Sequence, residues 1–240
     1  MLDLSPIDFY RSHYQLLAQN QLYKLSHILL LWLIYVRPLL SFSYVFLINA
    51  QDFTIQPYLQ NASSTSIVIM WEYSNCGNSI VEWGIEISLG NIDSATYEIT
   101  NYPACLFTAK INGLQPKTKY YYRVQTENNT SSISSFVTPS NNIDEKSINI
   151  IAMSDMQIDT DYPEKFKEIN DAIIDYFNEN YLGSVNQNLD LVLIPGDLVK
   201  SGTNYNHWKD HFFFQSKKLF SDVPFYPVLG NHEKNADLYF

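Results

Sequence analysis

Three residues in the second half of the chain have types and spacing that could do chemistry: Asp155, Asp197 and Asn231. Each stands where an apolar run stops, in Met153-Ser154-Asp155-Met156-Gln157, Pro195-Gly196-Asp197 and Gly230-Asn231-His232-Glu233. Two carboxylates and an amide offer oxygen donors, and no Lys or Arg lies inside the motifs to neutralise them. A donor set of this kind suits a hard cation. Either aspartate alone reads as a helix cap or a turn residue. Three such residues at successive strand ends favour a metal site, because convergent geometry is what a site requires.

The elements that must position them follow from the runs that precede them. Ile148, Ile150 and Ile151, then Leu191 to Ile194, then Phe225, Tyr226, Val228 and Leu229 are short apolar runs that read as buried strands. Two helical stretches separate them. In Pro163 to Asn180 the residues Phe166, Ile169, Ala172, Ile173, Tyr176 and Phe177 are spaced for one buried face, and Pro163 suits the first turn. Asn204 to Phe220 is the second helix, with Trp208, Phe212 and Leu219 as core candidates. The order βαβαβ implies a parallel sheet with right-handed crossovers. The carboxyl ends of its strands then share one edge, where open α/β sheets bind ligands.

Residues 54–138 are built differently. Ser66–Glu72, Ser79–Trp83, Thr96–Thr100, Ala104–Ile111, Lys119–Thr126 and Ser132–Val137 are short strands with turn residues between them, which suggests a β-sandwich. The domains expected are a leader over 1–50, a sandwich over 51–139, a polar linker over 140–147 and an α/β region over 148–240. In the leader, Lys24 and His27 precede the apolar run Ile28–Val36, Arg37-Pro38 interrupts it, and Leu39–Ile48 resumes it before Asn49-Ala50-Gln51. That pattern describes an export signal ending near Ala50, with contact to a membrane only in transit; the alternative is a membrane anchor over Ile28–Ile48, which Arg37 near its centre disfavours. The formal net charge is −10, and residues 51–240 carry 23 acidic against 12 basic residues, so a nucleic-acid groove is not expected. A small phosphate substrate held through metals remains compatible with that charge.

The three acidic motifs, in order, resemble the first three motifs of the calcineurin-like metallophosphoesterases, D-x-H or D-x-G, G-D-x-x and G-N-H-D/E. Ile55-Gln56-Pro57-Tyr58-Leu59-Gln60 and Ser66-Ile67-Val68-Ile69-Met70-Trp71 resemble the N-terminal domain of purple acid phosphatases, a fibronectin III-like sandwich. Leu114-Gln115-Pro116-Lys117-Thr118-Lys119-Tyr120 resembles the corner of that fold, in which the tyrosine at the Tyr120 position hydrogen-bonds back across the corner. Trp71 falls on its core tryptophan. The resemblance implies a fibronectin III-like domain followed by the first half of a metallophosphoesterase domain. It implies a binuclear centre of two divalent or trivalent ions (Mn, Fe or Zn) in a hydrolase of small phosphate monoesters; the leader pattern makes the expected location secreted, periplasmic or at the cell surface. Asp155 would bind the first metal, Asp197 would bridge, and Asn231 would bind the second. His232 would sit beside the leaving-group oxygen to stabilise charge or supply a proton. Two metals about 3.5–4 Å apart can clamp a phosphate and activate a water.

Three departures qualify the match. Gln157 stands where many relatives have a ligand histidine, and its oxygen favours harder cations, with Mn preferred. Lys200 replaces the tyrosine ligand of purple acid phosphatases, so no iron–tyrosinate colour is expected. Both departures suit a phosphodiesterase or nucleotide pyrophosphatase as the alternative activity. The chain ends seven residues after Glu233, before the later His and G-H-x-H motifs, so the expectation is a truncated and inactive piece. An inactive exported binding protein is the reading outside enzymes. In the sandwich, Cys76 and Cys105 are expected to pair, because a fibronectin-like fold makes their strands antiparallel neighbours. His207 and His211 share a helix face but lack the adjacent Glu of a zinc-protease motif, so they read as surface residues. Asp159 and Asp161 read as caps. Asn61-Ala62-Ser63 and Asn128-Asn129-Thr130 fit the glycosylation pattern.

Overall fold

Alternation of apolar and polar residues governs the first half of the molecule. In the computed structural model, which describes residues 53–102, 104–141, 148–158 and 160–237, nine strands run from Phe53 to Val137. They are β1 (Phe53–Gln60), β2 (Ser66–Tyr73), β3 (Ser79–Gly84), β4 (Asn91–Ser94), β5 (Thr96–Ile99), β6 (Cys105–Asn112), β7 (Lys119–Thr126), β8 (Asn129–Thr130) and β9 (Ser134–Val137). One antiparallel sheet has the order β1-β2-β6-β5; the other has β4-β3-β7-β8, with β9 also on β7. In β2, Ile67, Ile69, Trp71 and Tyr73 point into the sandwich core and the residues between them point away. Trp71 is fully buried, stacks on Phe107 at 5.5 Å and donates its Nε1–H to Thr126 Oγ1 at 2.9 Å. At the corner, the Gln115 N–H donates to the Tyr120 hydroxyl at 2.9 Å. Cys105 lies opposite Tyr73 across β2 and β6, and it forms a disulfide with Cys76, Cα–Cα 5.4 Å.

Three of these strands were not expected. In β1, Pro57 and two register shifts break the alternation that marks a strand. β4 is the polar Asn-Ile-Asp-Ser, and β8 has two residues, so neither carries a hydrophobic period. The leader expected over 1–50 and most of the linker expected over 140–147 lie outside the described residues, as does Asp159.

The second half is an α/β layer. β10 (Ile150–Ala152), α1 (Lys165–Asn180), the short α2 (Val185–Asn188) and β11 (Leu191–Ile194) come first. A π-helical segment (His207–Phe213) then continues into α3 (Phe214–Phe220), followed by β12 (Phe225–Pro227). The sheet is parallel with order β10-β11-β12, pairing Ile151 with Val192 and Val192 with Phe225. Val192, Ile194 and Phe225 join the core with Phe166, Phe177, Trp208, Phe212, Leu219 and Phe220. The opposite face of the sheet is not buried as expected: Ile148, Ile150, Leu193 and Val228 are exposed.

The buried face of α1 is also rotated from expectation. Ile169 and Tyr176 are exposed, whereas Asn170 is buried between Phe166 and Phe177. The Asn170 amide donates to the Phe166 carbonyl at 2.8 Å, which satisfies its NH2 group on the core face, while its Oδ1 is buried with no hydrogen-bond partner among the described residues.

The two halves share a packed seam. Ile55 and Tyr58 of β1 belong to the α/β core, and the Tyr58 ring lies 4.7 Å from that of Phe213. Leu59, on the other face of β1, belongs to the sandwich core. The Tyr122 hydroxyl donates to the Ser221 carbonyl at 2.7 Å, and the Ser135 N–H donates to Asp222 Oδ1 at 3.2 Å.

Candidate metal centre

The parallel strands deliver the acidic motifs to one edge. Asp155 follows the end of β10 by three residues, Asp197 follows β11 by three, and Asn231 follows β12 by four. Both aspartates adopt left-handed backbone, φ 58° and 55°. That conformation costs a non-glycine residue about 1–2 kcal/mol, least for Asp and Asn. Two such residues at matching strand ends mark where the chain turns sharply to present a carboxylate.

Backbone bonds tie the three loops together. The Met156 N–H donates to the Asp197 carbonyl at 3.1 Å, which joins the first loop to the second. The His232 N–H donates to Asp197 Oδ1 at 3.1 Å, which joins the third loop to the second. The second and third loops also touch at their glycines. A Cβ on Gly196 would lie 2.9 Å from Gly230 Cα, and one on Gly230 would lie 2.2 Å from Asp197 Oδ1. Only glycine at position 230 lets the Asp197 carboxylate occupy that space.

Each expected ligand has a definite place. Asp155 is exposed, and Oδ2 accepts the Ser154 hydroxyl at 2.6 Å. Asp197 is half-buried, with Oδ1 on the His232 N–H. Asn231 is exposed and Gln157 half-buried. His232 donates Nδ1–H to the Lys200 carbonyl at 2.9 Å; a carbonyl only accepts, so the tautomer is set and Nε2 is the outward nitrogen. Thus Lys200 serves the site through its backbone, while its side chain is exposed.

His207 and His211 lie on the π-helical segment with rings stacked at 4.9 Å. Burial, then His207 and Lys200, push His211 below the usual imidazole range, while Asp210 pulls the other way.

One residue in the motifs was given no role from sequence. Glu233 is fully buried. Its Oε2 accepts the Asp197 N–H at 3.0 Å and the Gly230 N–H at 2.7 Å; its Oε1 accepts the Leu198 and Val199 N–H groups at 2.8 and 3.2 Å. The sequence signal for it was the pair Gly196 and Gly230, whose missing side chains announce two backbones in close approach.

The donors suit a divalent cation in charge and hardness. Neither Asp155 nor Asp197 has a Lys or Arg ion-pair partner among the described residues. Among those residues no three His, Cys, Asp or Glu side chains are grouped to hold an ion by themselves. Asp155, Asp197 and Asn231 thus offer oxygen donors from three loops at one sheet edge.

Comparison with known proteins agrees with this layout. Residues 54–138 match the purple acid phosphatase N-terminal domain, and residues 148–240 match the calcineurin-like phosphoesterase family. No curated protein matches the chain. Among solved structures, PhoD superimposes with a TM-score of 0.56 at 15% identity, over 77% of this chain and 40% of that one. The chain therefore spans well under half the length of that structure. The sensor domain of the anti-sigma factor RsgI4 from Pseudobacteroides cellulosolvens aligns at TM-score 0.31 and 19% identity, over 38% of this chain and 99% of that one. The FN5 domain of Drosophila Lar aligns at TM-score 0.26 and 21% identity, over 36% and 96% of the two chains. An antiparallel sandwich ahead of a parallel sheet, with the acidic motifs at that sheet's carboxyl edge, carries the assignment: the chain belongs to the calcineurin-like metallophosphoesterases and bears a purple acid phosphatase N-terminal domain.

Proposed function

We propose that this chain forms the leading part of an exported hydrolase of small phosphate monoesters that works through two metal ions, with Mn preferred. The observation that carries the reading is the pair of left-handed aspartates, Asp155 and Asp197, at the carboxyl ends of adjacent parallel strands in directly bonded loops. Asp155, Asp197, Asn231 and the oxygen of Gln157 would hold the cations. When bound, they would neutralise phosphate charge and lower the pKa of a water enough for it to attack phosphorus.

The protein's own part is positioning and proton transfer. Asp197 Oδ1 is steadied by the His232 N–H, which keeps the carboxylate and the imidazole in fixed relation. With Nδ1–H committed to the Lys200 carbonyl, only Nε2 of His232 is free to meet a leaving-group oxygen. As imidazolium it donates there; as neutral imidazole it accepts.

Residues 51–240 by themselves are expected to bind Mn2+ weakly and to leave p-nitrophenyl phosphate intact. Calorimetric titration of the purified chain with Mn2+ tests the site. Asp155→Asn and Asp197→Asn should each abolish the binding isotherm. Binding that survives both substitutions would place the cation elsewhere and overturn the reading.

A further inference from the structure

We infer that Glu233 is the positioning residue of this centre: its carboxylate clamps the loop of Asp197 to the loop of Asn231 and His232, so that these groups move as one body. The inference rests on the metal reading above for its function, and on geometry alone for the clamp.

The geometry is specific. Glu233 is separated from Asn231 by one residue and adjoins His232, yet its own side chain turns away from the edge and is fully buried. Both of its oxygens are taken by backbone N–H groups, three from the second loop and one from the third. Three consecutive amides, Asp197 to Val199, point at one carboxylate because Asp197 is left-handed and turns the chain around it. The Glu233 main chain is held as well. Its carbonyl accepts the Ala236 N–H at 3.0 Å, and the neighbouring His232 carbonyl accepts the Gly202 N–H at 3.0 Å. A Cβ on Gly202 would lie 2.2 Å from the Glu233 carbonyl oxygen, so the second loop wraps the residue closely. No other side chain of the described residues accepts four backbone N–H bonds from two loops of the site. A metal ligand must keep its place to within fractions of an ångström, and groups that orient ligands affect metal affinity by about 10–100-fold.

Glutamine at this position tests the idea because it keeps the shape. One oxygen becomes an NH2 group, which must face two N–H donors whichever way the amide is turned. Amide hydrogen exchange of the metal-free Glu233→Gln chain should be faster at Asp197, Leu198, Val199 and Gly230, with the sandwich amides unchanged. In the same variant Mn2+ affinity should fall about 10–100-fold. Ile69→Ala, in the sandwich core, supplies a destabilised control that should lower the melting temperature without either effect. If Glu233→Gln does not fold, Glu233→Asp keeps the acceptors but shortens their reach, and the same local exchange is expected. Exchange at those four amides equal to wild type overturns the clamp, as does the same pattern in Ile69→Ala. Absence of Mn2+ binding by the wild-type chain would refute the metal reading and leave the exchange result to decide the clamp.

Discussion

The site edge and the seam between the two halves handle buried carboxylates in opposite ways. At the edge, Glu233 is surrounded by four backbone donors that belong to fixed turns. At the seam, Glu72 is held by hydroxyls, Tyr205 at 2.6 Å and Thr54 at 3.3 Å, and Asp222 by the Ser135 N–H and the Ser221 hydroxyl. Burial pushes Glu72 above the usual carboxylate range, against those hydroxyls and Lys209. Burial pushes Asp222 to about 6, against the Ser135 N–H, Lys119 and Ser221. Backbone donors define a geometry, whereas sparse donors leave a group that answers to pH. The edge is built for position and the seam for adjustable cohesion.

That contrast breaks most readily at Gly230. Gly230→Ala drives a methyl to 2.2 Å from Asp197 Oδ1. Overpacking of this kind costs about 1–3 kcal/mol or more, and Mn2+ affinity should fall by about 100-fold as the carboxylate is displaced. A thermal melt and a Mn2+ titration measure the two effects; an unchanged affinity would mean that Asp197 does not need its present place.

Removing the disulfide should do the reverse. Cys76→Ser with Cys105→Ser opens a loop with a sequence separation of 29 residues, for a loss of about 3–4 kcal/mol in the chain-entropy model. A denaturant titration should show that loss, with Mn2+ binding at native conditions unaltered. Weaker binding in this variant would show that sandwich and edge are more tightly coupled than their separate clusters suggest.

The seam should reveal itself through pH. The folded value of Asp222, about 6, lies above its ordinary 3.8, so folding disfavours the ionised form. Its contribution is therefore fully favourable below pH 4 and is lost as pH rises through 6, by about 2 kcal/mol after allowance for partial solvation. Asp222→Asn should be more stable than wild type at pH 7 and equal to it near pH 4, as read from urea midpoints at the two values. A stability difference independent of pH would remove the seam's titrating role.

The smallest effect belongs to the corner. Tyr120→Phe takes the acceptor from the Gln115 N–H and should cost about 1 kcal/mol, with neither metal affinity nor pH dependence changed.

Much of this was legible in the sequence because it rests on local pattern. β11 falls on Leu191–Ile194 as the apolar run indicates, and the three motifs follow three strand ends because the parallel order requires it. Trp71, Tyr120 and the Cys76–Cys105 pair were legible through resemblance to a known sandwich. What escaped depends on tertiary contact. β1 hides behind Pro57 and its bulges. The face of α1 turns on Asn170 finding the Phe166 carbonyl. The exposed side of the parallel sheet has the same apolar residues as its buried side, so composition does not tell them apart. Glu233 stands beside three chemically suggestive residues, and only its burial and its backbone partners separate a clamp from one more acid.

β1 carries a consequence for how such chains can be recombined. The boundaries of inheritance fall between residues 138 and 148, where one family match ends and the next begins. The boundary of cohesion does not: Ile55 and Tyr58, near the start of the first match, are bricks in the second region's foundation, and Asp52–Phe240 holds together as one unit. A graft that exchanges the sandwich for a foreign module at the apparent joint would strip Phe213 and Phe225 of the ring that lies against them. Such chimeras should inherit the motifs and lose their footing, unless the donor's first strand brings its own tyrosine to the same spot.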